Sequence, residues 1–294
     1  MYEQAFGSFD LNTVVLLAST SKMPSASLLV ALDGRKRFGF DITMPISNYL
    51  PYEGYYGDVS SEQLLSNTSG IPGINHVSDY GPHLCQFVAE RKLKACGREI
   101  YQSLLPHTQP PGEFYSYGGS PWQLAGAVAE RVGKNGWNSL FKKYIGTPCD
   151  LDVFKYGNML MSDKRAMWDG DPASLVGKRN PHIGGGAISN LRDYGKLLRM
   201  QLNDGWCGPH RVLPEGATEF MRIERKLPVL PPEPDSGQGY GLGWWIRPQD
   251  EFPEPNIYFD PGGFGAHAWI DTQRGYGAIF LVENLSQAAG GIPG

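Results

Sequence analysis

No run of this 294-residue chain approaches the apolar length needed to cross a bilayer. Charge is scarce too. Only 19% of residues are charged and the net charge is −4, so no basic field exists to hold nucleic acid or a membrane surface. The opening Met1-Tyr2-Glu3-Gln4-Ala5-Phe6-Gly7 lacks the basic and apolar regions of a signal peptide, which favours the cytoplasm for the chain as written. Cysteine is limited to Cys85, Cys96, Cys149 and Cys207, with no Cys-x-x-Cys spacing and no neighbouring His pattern. The spacing offers no zinc pattern, and free buried thiols are expected, with disulfides the alternative if a precursor is secreted. None of the six histidines sits in a motif. The chain has no Gly-x-Ser-x-Gly elbow, no His-Glu-x-x-His pair and no Gly-rich phosphate loop, which argues against an α/β-hydrolase triad, a zincin and a phosphate-cradling enzyme. Repeats and low-complexity tracts are absent as well.

What the chain does have is glycine (38), proline (23) and aromatic residues (12%), the composition of a loop-rich enzyme with an aromatic-lined cleft. The first two-thirds read as helices joined by long turns. Ser120-Pro121-Trp122-Gln123 has the form of a capping box with Pro at the first helical position, and Gly133 is the stop. Further helices are expected over about 137–144 and over Leu191 to Leu202, the latter capped by Ser189-Asn190 and ended by Asn203-Asp204-Gly205. An extended Pro-rich loop, Leu227 to Gly237, precedes a change to strand-like text: Tyr240 to Ile246, Phe264 to Asp271 and Tyr276 to Glu283. Such closely connected strands make an antiparallel meander, giving an α+β layer beside an all-helical region. The sheet domain is expected over 1–45 and 175–294, the mostly helical domain over 46–174, with the active site in the cleft between them.

Ser19-Thr20-Ser21-Lys22 sets a hydroxyl three residues before an amine. The apolar run Val14 to Ala18 leads in, and Pro24 is tolerated only in a helix's first turn, so a helix must begin near Ser19 to Ser21 and stop at Gly34. Residues i and i+3 share a helix face, so Lys22 can reach the Ser19 hydroxyl. The helix N-terminus disfavours an ammonium and favours an alkoxide, as a Ser nucleophile with a Lys base requires. On this segment alone, an ordinary N-cap with a first-turn Lys explains the pattern equally well. A second Ser-x-x-Lys, Ser139 to Lys142, reads as the solvated face of an amphipathic helix.

Two other segments carry chemistry. Tyr115-Ser116-Tyr117-Gly118-Gly119 lies just before the helix at Ser120, where a phenol can relay protons or simply pack. Asp260-Pro261-Gly262-Gly263-Phe264-Gly265 sits at the entrance to a strand, where glycines allow a backbone N–H to approach a substrate carbonyl. Asn67-Thr68-Ser69 and Asn284-Leu285-Ser286 match the glycosylation sequon, a short pattern that mostly arises by chance.

In order and spacing, Ser19 to Lys22, Tyr115 to Tyr117 and Asp260 to Gly262 resemble the motifs of the serine β-lactamase-related superfamily, which includes class C β-lactamases, DD-peptidases and family VIII esterases and transesterases. The text between them is similar as well. Leu64-Leu65-Ser66-Asn67-Thr68-Ser69-Gly70-Ile71-Pro72 resembles the family's Leu-Leu-x-His-Thr-Ser-Gly-Leu-Pro, Pro110-Pro111-Gly112-Glu113-Phe114-Tyr115-Ser116 its approach to the tyrosine, and Gly185-Gly186-Ala187-Ile188-Ser189-Asn190-Leu191-Arg192-Asp193 its Gly-Gly-x-x-Ser-Thr-x-x-Asp. The resemblance spans about residues 12–284. It implies that Ser19 attacks a carbonyl to form an acyl-enzyme and that Lys22 and Tyr115 share the proton transfers. It implies as well that the N–H groups of Ser19 and Gly263 hold the oxyanion and that no metal or organic cofactor is needed.

Departures from the family pattern narrow the expectation. Tyr117 stands where the peptidase and lactamase branch has Asn, and Asp260 where the third motif opens with Lys or His. A carboxylate there repels the carboxylate of a β-lactam or peptide terminus. The reading that follows is a carboxylesterase, able also to transfer acyl groups to alcohols, acting on small neutral esters as a monomer or homo-oligomer. Alternatives are a β-lactamase or D-alanyl carboxypeptidase, and a catalytically impaired binding or scaffold homologue. Only eighteen residues precede Ser19, and no covering helix is evident near Gly294, so a shortened N-terminal edge is expected, with either a trimmed chain or an exposed sheet edge as its reason.

Overall fold

Residues 15–32 form the spine of the molecule: all are buried except Ser19. They open with strand β1 (Val15–Leu16), turn through a 3-10 segment over Ala18–Ser21, and enter helix α1 (Lys22–Asp33), with Pro24 in its first turn and Gly34 at its C-cap. The structure, a computed structural model, describes residues 2–73, 81–103, 110–159, 168–226, 237–247 and 256–283. Most of the Pro-rich loop and the sequon at Asn284 lie outside them.

The architecture is α+β. Helices α2 (Ser61–Leu65), α3 (Leu93–Tyr101), α4 (Ser120–Gly133) and α5 (Trp137–Phe141) build the helical region, with α3 packed on α4 and α4 on α1. Strand β2 (Lys155–Tyr156) and β1 flank β3 (Ala187–Ser189) in a small antiparallel sheet. Helix α6 (Leu191–Leu202) follows, capped as expected: the Asn190 side chain accepts the Asp193 N–H at 2.9 Å. A short hairpin, β4 (Trp206–Cys207) and β5 (His210–Arg211), and helix α7 (Ala217–Arg222) lead to the main sheet. That sheet is an antiparallel meander of β6 (Gly239–Tyr240), β7 (Trp245–Ile246), β8 (Ile257–Pro261), β9 (His267–Asp271) and β10 (Tyr276–Phe280), neighbours in that order. Its inner face packs on α6 and buries Tyr258, Asp260, Ala268 and Ile270. Its outer face carries Phe259, Trp269 and Phe280, with the Trp269 and Phe280 rings stacked at 6.3 Å. Among the described residues β10 is one edge of the sheet, and Phe280 there is 60% exposed.

Four expectations are corrected. The capping box at Ser120 does not form. The N-cap is Gly119, the Ser120 hydroxyl accepts the Gln86 Nε2 hydrogen at 3.0 Å, and Gln123 donates to Asn180 and to the Pro181 carbonyl. Tertiary partners thus took both side chains. The expected strand over 240–246 is a hairpin, because Gly243 at φ +76° turns the chain between β6 and β7. Asp260 does not precede a strand but belongs to β8, and Gly262 to Ala266 form the turn into β9. The cysteines are not free thiols: Cys85 pairs with Cys96 and Cys149 with Cys207. The second Ser-x-x-Lys is, as expected, on a solvated face, with Ser139 and Lys142 both exposed.

Candidate active site

Ala18 occupies the left-handed region at φ +47°, a conformation unfavourable for an L-residue with a side chain. Its neighbours hold it there. The Leu17 N–H donates to the Ala187 carbonyl at 2.9 Å, the Ser21 hydroxyl donates to the Ala18 carbonyl at 2.6 Å, and that hydroxyl also accepts the Ala187 N–H at 3.0 Å. On the other side the Thr20 hydroxyl donates to the Ala266 carbonyl at 3.2 Å. The turn is therefore clamped between β3 and the β8–β9 turn, with Ser19 the one residue left facing outward.

Lys22, one helical turn on, is 3% exposed. Its Nζ donates to the Gly184 carbonyl at 2.8 Å and to Ser19 Oγ at 3.1 Å. The Tyr117 ring lies 4.5 Å from the same nitrogen and the Trp122 ring 5.8 Å. The amine is thus fixed by a backbone acceptor and two aromatic faces, with a further hydrogen bond going to Ser19.

The Tyr115–Tyr117 loop is anchored from below by Asn67, itself left-handed at φ +58°. The Asn67 carbonyl accepts the Ser116 N–H at 2.8 Å, and its side-chain oxygen accepts the Trp122 indole N–H at 3.1 Å. This Asn is 1% exposed, so it is no glycan acceptor. Tyr115 is buried, its ring 5.6 Å from Tyr240 and 6.2 Å from Trp245; Tyr117 meets the same two rings at 5.9 and 5.3 Å. Lys22 touches both Ser19 and the Tyr117 ring, and Tyr115 shares the Tyr240 and Trp245 rings with Tyr117. Burial raises the Tyr240 phenol well above its usual range, so it stays neutral.

At the third motif the two glycines differ. A Cβ on Gly262 would run into the Leu17 carbonyl oxygen, so only glycine permits this approach. The Gly262 N–H is spent on the Ala266 carbonyl at 2.7 Å. Gly263 is exposed with open space beside it. Asp260 is not where the sequence put it. Its carboxyl is 1% exposed and turned inward, accepting the Met23 N–H at 3.1 Å. Strand alternation explains this, since neighbouring residues of β8 face opposite sides and Pro261, not Asp260, lies on the less buried one.

Four residues escaped the sequence reading: Ala18, Asn67, Gly184 and Tyr194. Gly184 acts through its carbonyl and Ala18 through its backbone, for which no side-chain signal exists. Tyr194 is the fourth residue of α6, its hydroxyl 3.0 Å from the Thr20 carbonyl and 3.3 Å from Asp260 Oδ2. His182 stacks on Phe87 and bonds Gln86 at 3.1 Å. Burial and the nearby Lys22 charge push it down to about 3, so it stays neutral. Among the described residues no three His, Cys, Asp or Glu side chains converge as a cation site would.

The beta-lactamase family model matches residues 1–290, and the chain belongs to that family. It is similar to the crystal structure of a putative beta-lactamase from Bacteroides dorei, at 27% identity and a TM-score of 0.73, over 96% of this chain and 81% of that one. The fold is shared with a penicillin-binding protein from Bacillus halodurans (20% identity, TM-score 0.68, 94% and 82% covered). It is also shared with EstCE1, a hydrolase with promiscuous acyltransferase activity (17%, 0.70, 94% and 81%). No curated protein matches the chain significantly. The protein is thus a hydrolase of the serine beta-lactamase family.

Proposed function

We propose that the protein forms an acyl-enzyme on Ser19 and acts as a carboxylesterase on small neutral esters, with transfer to alcohols as a second fate of the same intermediate. The observation that carries this reading is the 3.1 Å contact between Lys22 Nζ and Ser19 Oγ, at the one outward-facing residue of a buried spine. Lys22 and Tyr115 between them take the Ser19 proton as Oγ bonds to the ester carbon. The oxyanion is met by the N–H groups of Ser19 and Gly263. Collapse breaks the bond to the alkoxide, which leaves as alcohol with a proton relayed by Lys22 and Tyr115. Water, or an alcohol, then repeats the sequence on the acyl carbon.

The preference for neutral esters does not rest on repulsion by Asp260, because that carboxyl is buried. It rests on Tyr117, an aromatic ring in place of an amide, and on uncharged Pro261 on the less buried side of β8. EstCE1 and a family VIII carboxylesterase among the structures of the same fold accord with it. One observation favours a carboxylated amide or β-lactam instead: the Lys226 ammonium stands 5.6 Å from the Tyr115 ring centroid.

The test is pre-steady-state hydrolysis of p-nitrophenyl butyrate by wild type and Ser19→Ala. A burst followed by turnover, lost in Ser19→Ala, is expected. Absence of both in folded wild type would overturn the esterase reading, and penicillin labelling of Ser19 would transfer the function to the second one.

A further inference from the structure

Three contacts stitch the third-motif hairpin to the start of α1. Gly262 lies against the Leu17 carbonyl, Thr20 bonds the Ala266 carbonyl at 3.2 Å, and Asp260 Oδ2 accepts the Met23 N–H at 3.1 Å. Only the last comes from a charged residue type with no access to solvent. The Met23 N–H belongs to the first turn of α1, one of the donors a helix leaves without an internal partner. Neither Ser21 nor any other side chain at the N-cap supplies that bond. Strand β8 therefore caps the helix that presents Ser19 and Lys22. Tyr194 of α6 completes the arrangement, its hydroxyl bridging Asp260 Oδ2 and the Thr20 carbonyl.

We propose that Asp260 is a positioning residue for the Ser19–Lys22 pair, its carboxyl group fixing the nucleophile helix against the Gly262–Gly263 turn. The nucleophile and the oxyanion turn sit on different elements, so their separation depends on such a bridge, and a displacement of about 1 Å costs about a hundredfold in rate. The groups facing the carboxyl are Lys22 of α1, Tyr194 of α6, Tyr156 of β2 and Tyr240 of β6. The three phenols are neutral through burial, which leaves Lys22 as the facing cation. Burial pushes the Asp260 carboxyl itself up to about 8, so at neutral pH it is mostly the uncharged acid. Asparagine has the same shape, no charge and an oxygen to accept the Met23 N–H, and should stand in for it.

The catalytic consequence rests on the acyl-enzyme reading, so the experiment has two readouts. Asp260→Ala, Asp260→Leu and Asp260→Asn are compared with wild type for kcat and KM on p-nitrophenyl butyrate and for hydrogen exchange at the Met23 amide. The leucine variant fills the volume without an acceptor and serves where the alanine variant fails to fold. Expected for Ala and Leu is a loss of about a hundredfold in kcat, KM within about threefold, and faster Met23 exchange; Asn restores both readouts. Loss of kcat below about threefold in Ala and Leu, or failure of Asn to rescue, overturns the proposal. Should wild type prove inactive on every ester and unlabelled by a fluorophosphonate, the acyl-enzyme reading falls by itself. Exchange then decides: Met23 protection lost in Ala and Leu but kept in Asn supports the bridge, and equal protection in all variants overturns it.

Discussion

The Lys22 amine nitrogen stands 4.5 Å from the centroid of the Tyr117 ring. An aromatic face there holds the amine by its quadrupole and gives the cleft an apolar wall. Replacing the ring by Tyr117→Leu should lower kcat/KM for p-nitrophenyl butyrate about 3- to 30-fold, the range of a partly buried cation–π contact. Tyr117→Phe keeps the face and should stay within about twofold. Equal losses in the two variants would assign the effect to the hydroxyl.

Ala18 at φ +47° stores strain immediately before Ser19. Glycine relieves it but gains freedom in the unfolded chain, so Ala18→Gly should change stability by less than about 1 kcal/mol. A β-branched residue cannot adopt this conformation cheaply. Ala18→Val should cost about 2 kcal/mol or more in denaturant unfolding and remove the acylation burst. A valine variant with an intact burst would show that the turn does not need the left-handed residue.

What the sequence revealed and what it hid divide along physical lines. Helix α6 was legible to the residue because its cap at Asn190 and its stop at Asn203 to Gly205 are local signals. Ser19 and Lys22 were legible because i, i+3 spacing on a helix start fixes their meeting. The Ser120–Gln123 pattern misled because Gln86 and Asn180, both distant in sequence, captured its side chains. Asp260 misled for a subtler reason. Its carboxyl meets the first turn of α1 at Met23, and the face it occupies depends on strand alternation in β8, which no local signal reports. Cysteine pairing and the Gly184 acceptor for Lys22 exist only in three dimensions.

Two histidines and Asp260 give the fold opposing pH dependences. Burial pushes His83 down to about 4 and His182 to about 3, so below their unfolded value near 6.5 the unfolded chain takes up protons first and stability falls as pH drops. Asp260 works the other way. Its folded value of about 8 exceeds the unfolded one, so the folded state holds a proton the unfolded state has lost, and stability falls as pH rises toward 8. One proton over the interval from pH 6.5 to 8 amounts to about 2 kcal/mol. Denaturant unfolding of Asp260→Asn should lack that decrement relative to wild type, and His182→Gln should flatten the acid side. Parallel curves for Asp260→Asn and wild type between pH 6.5 and 8 would show that the carboxyl is already ionised in the fold.

The two disulfides close loops of different length, and their contributions should rank accordingly. Cys85–Cys96, separated by 11 residues, ties the 3-10 segment Gly81–Phe87 to α3. Cys149–Cys207, separated by 58, joins the chain after α5 to strand β4 beyond α6. The chain-entropy estimate gives about 3 kcal/mol for the shorter loop and about 4 for the longer. Unfolding of the paired alanine variants should reproduce that order, and native protein unfolded without reductant should show no thiol to Ellman's reagent. Bridges of this kind persist in oxidising compartments, so protein made in a reducing cytosol should melt lower and recover on oxidation. Four reactive thiols in active, fully folded protein would mean that the pairs are not formed and that packing alone holds these segments.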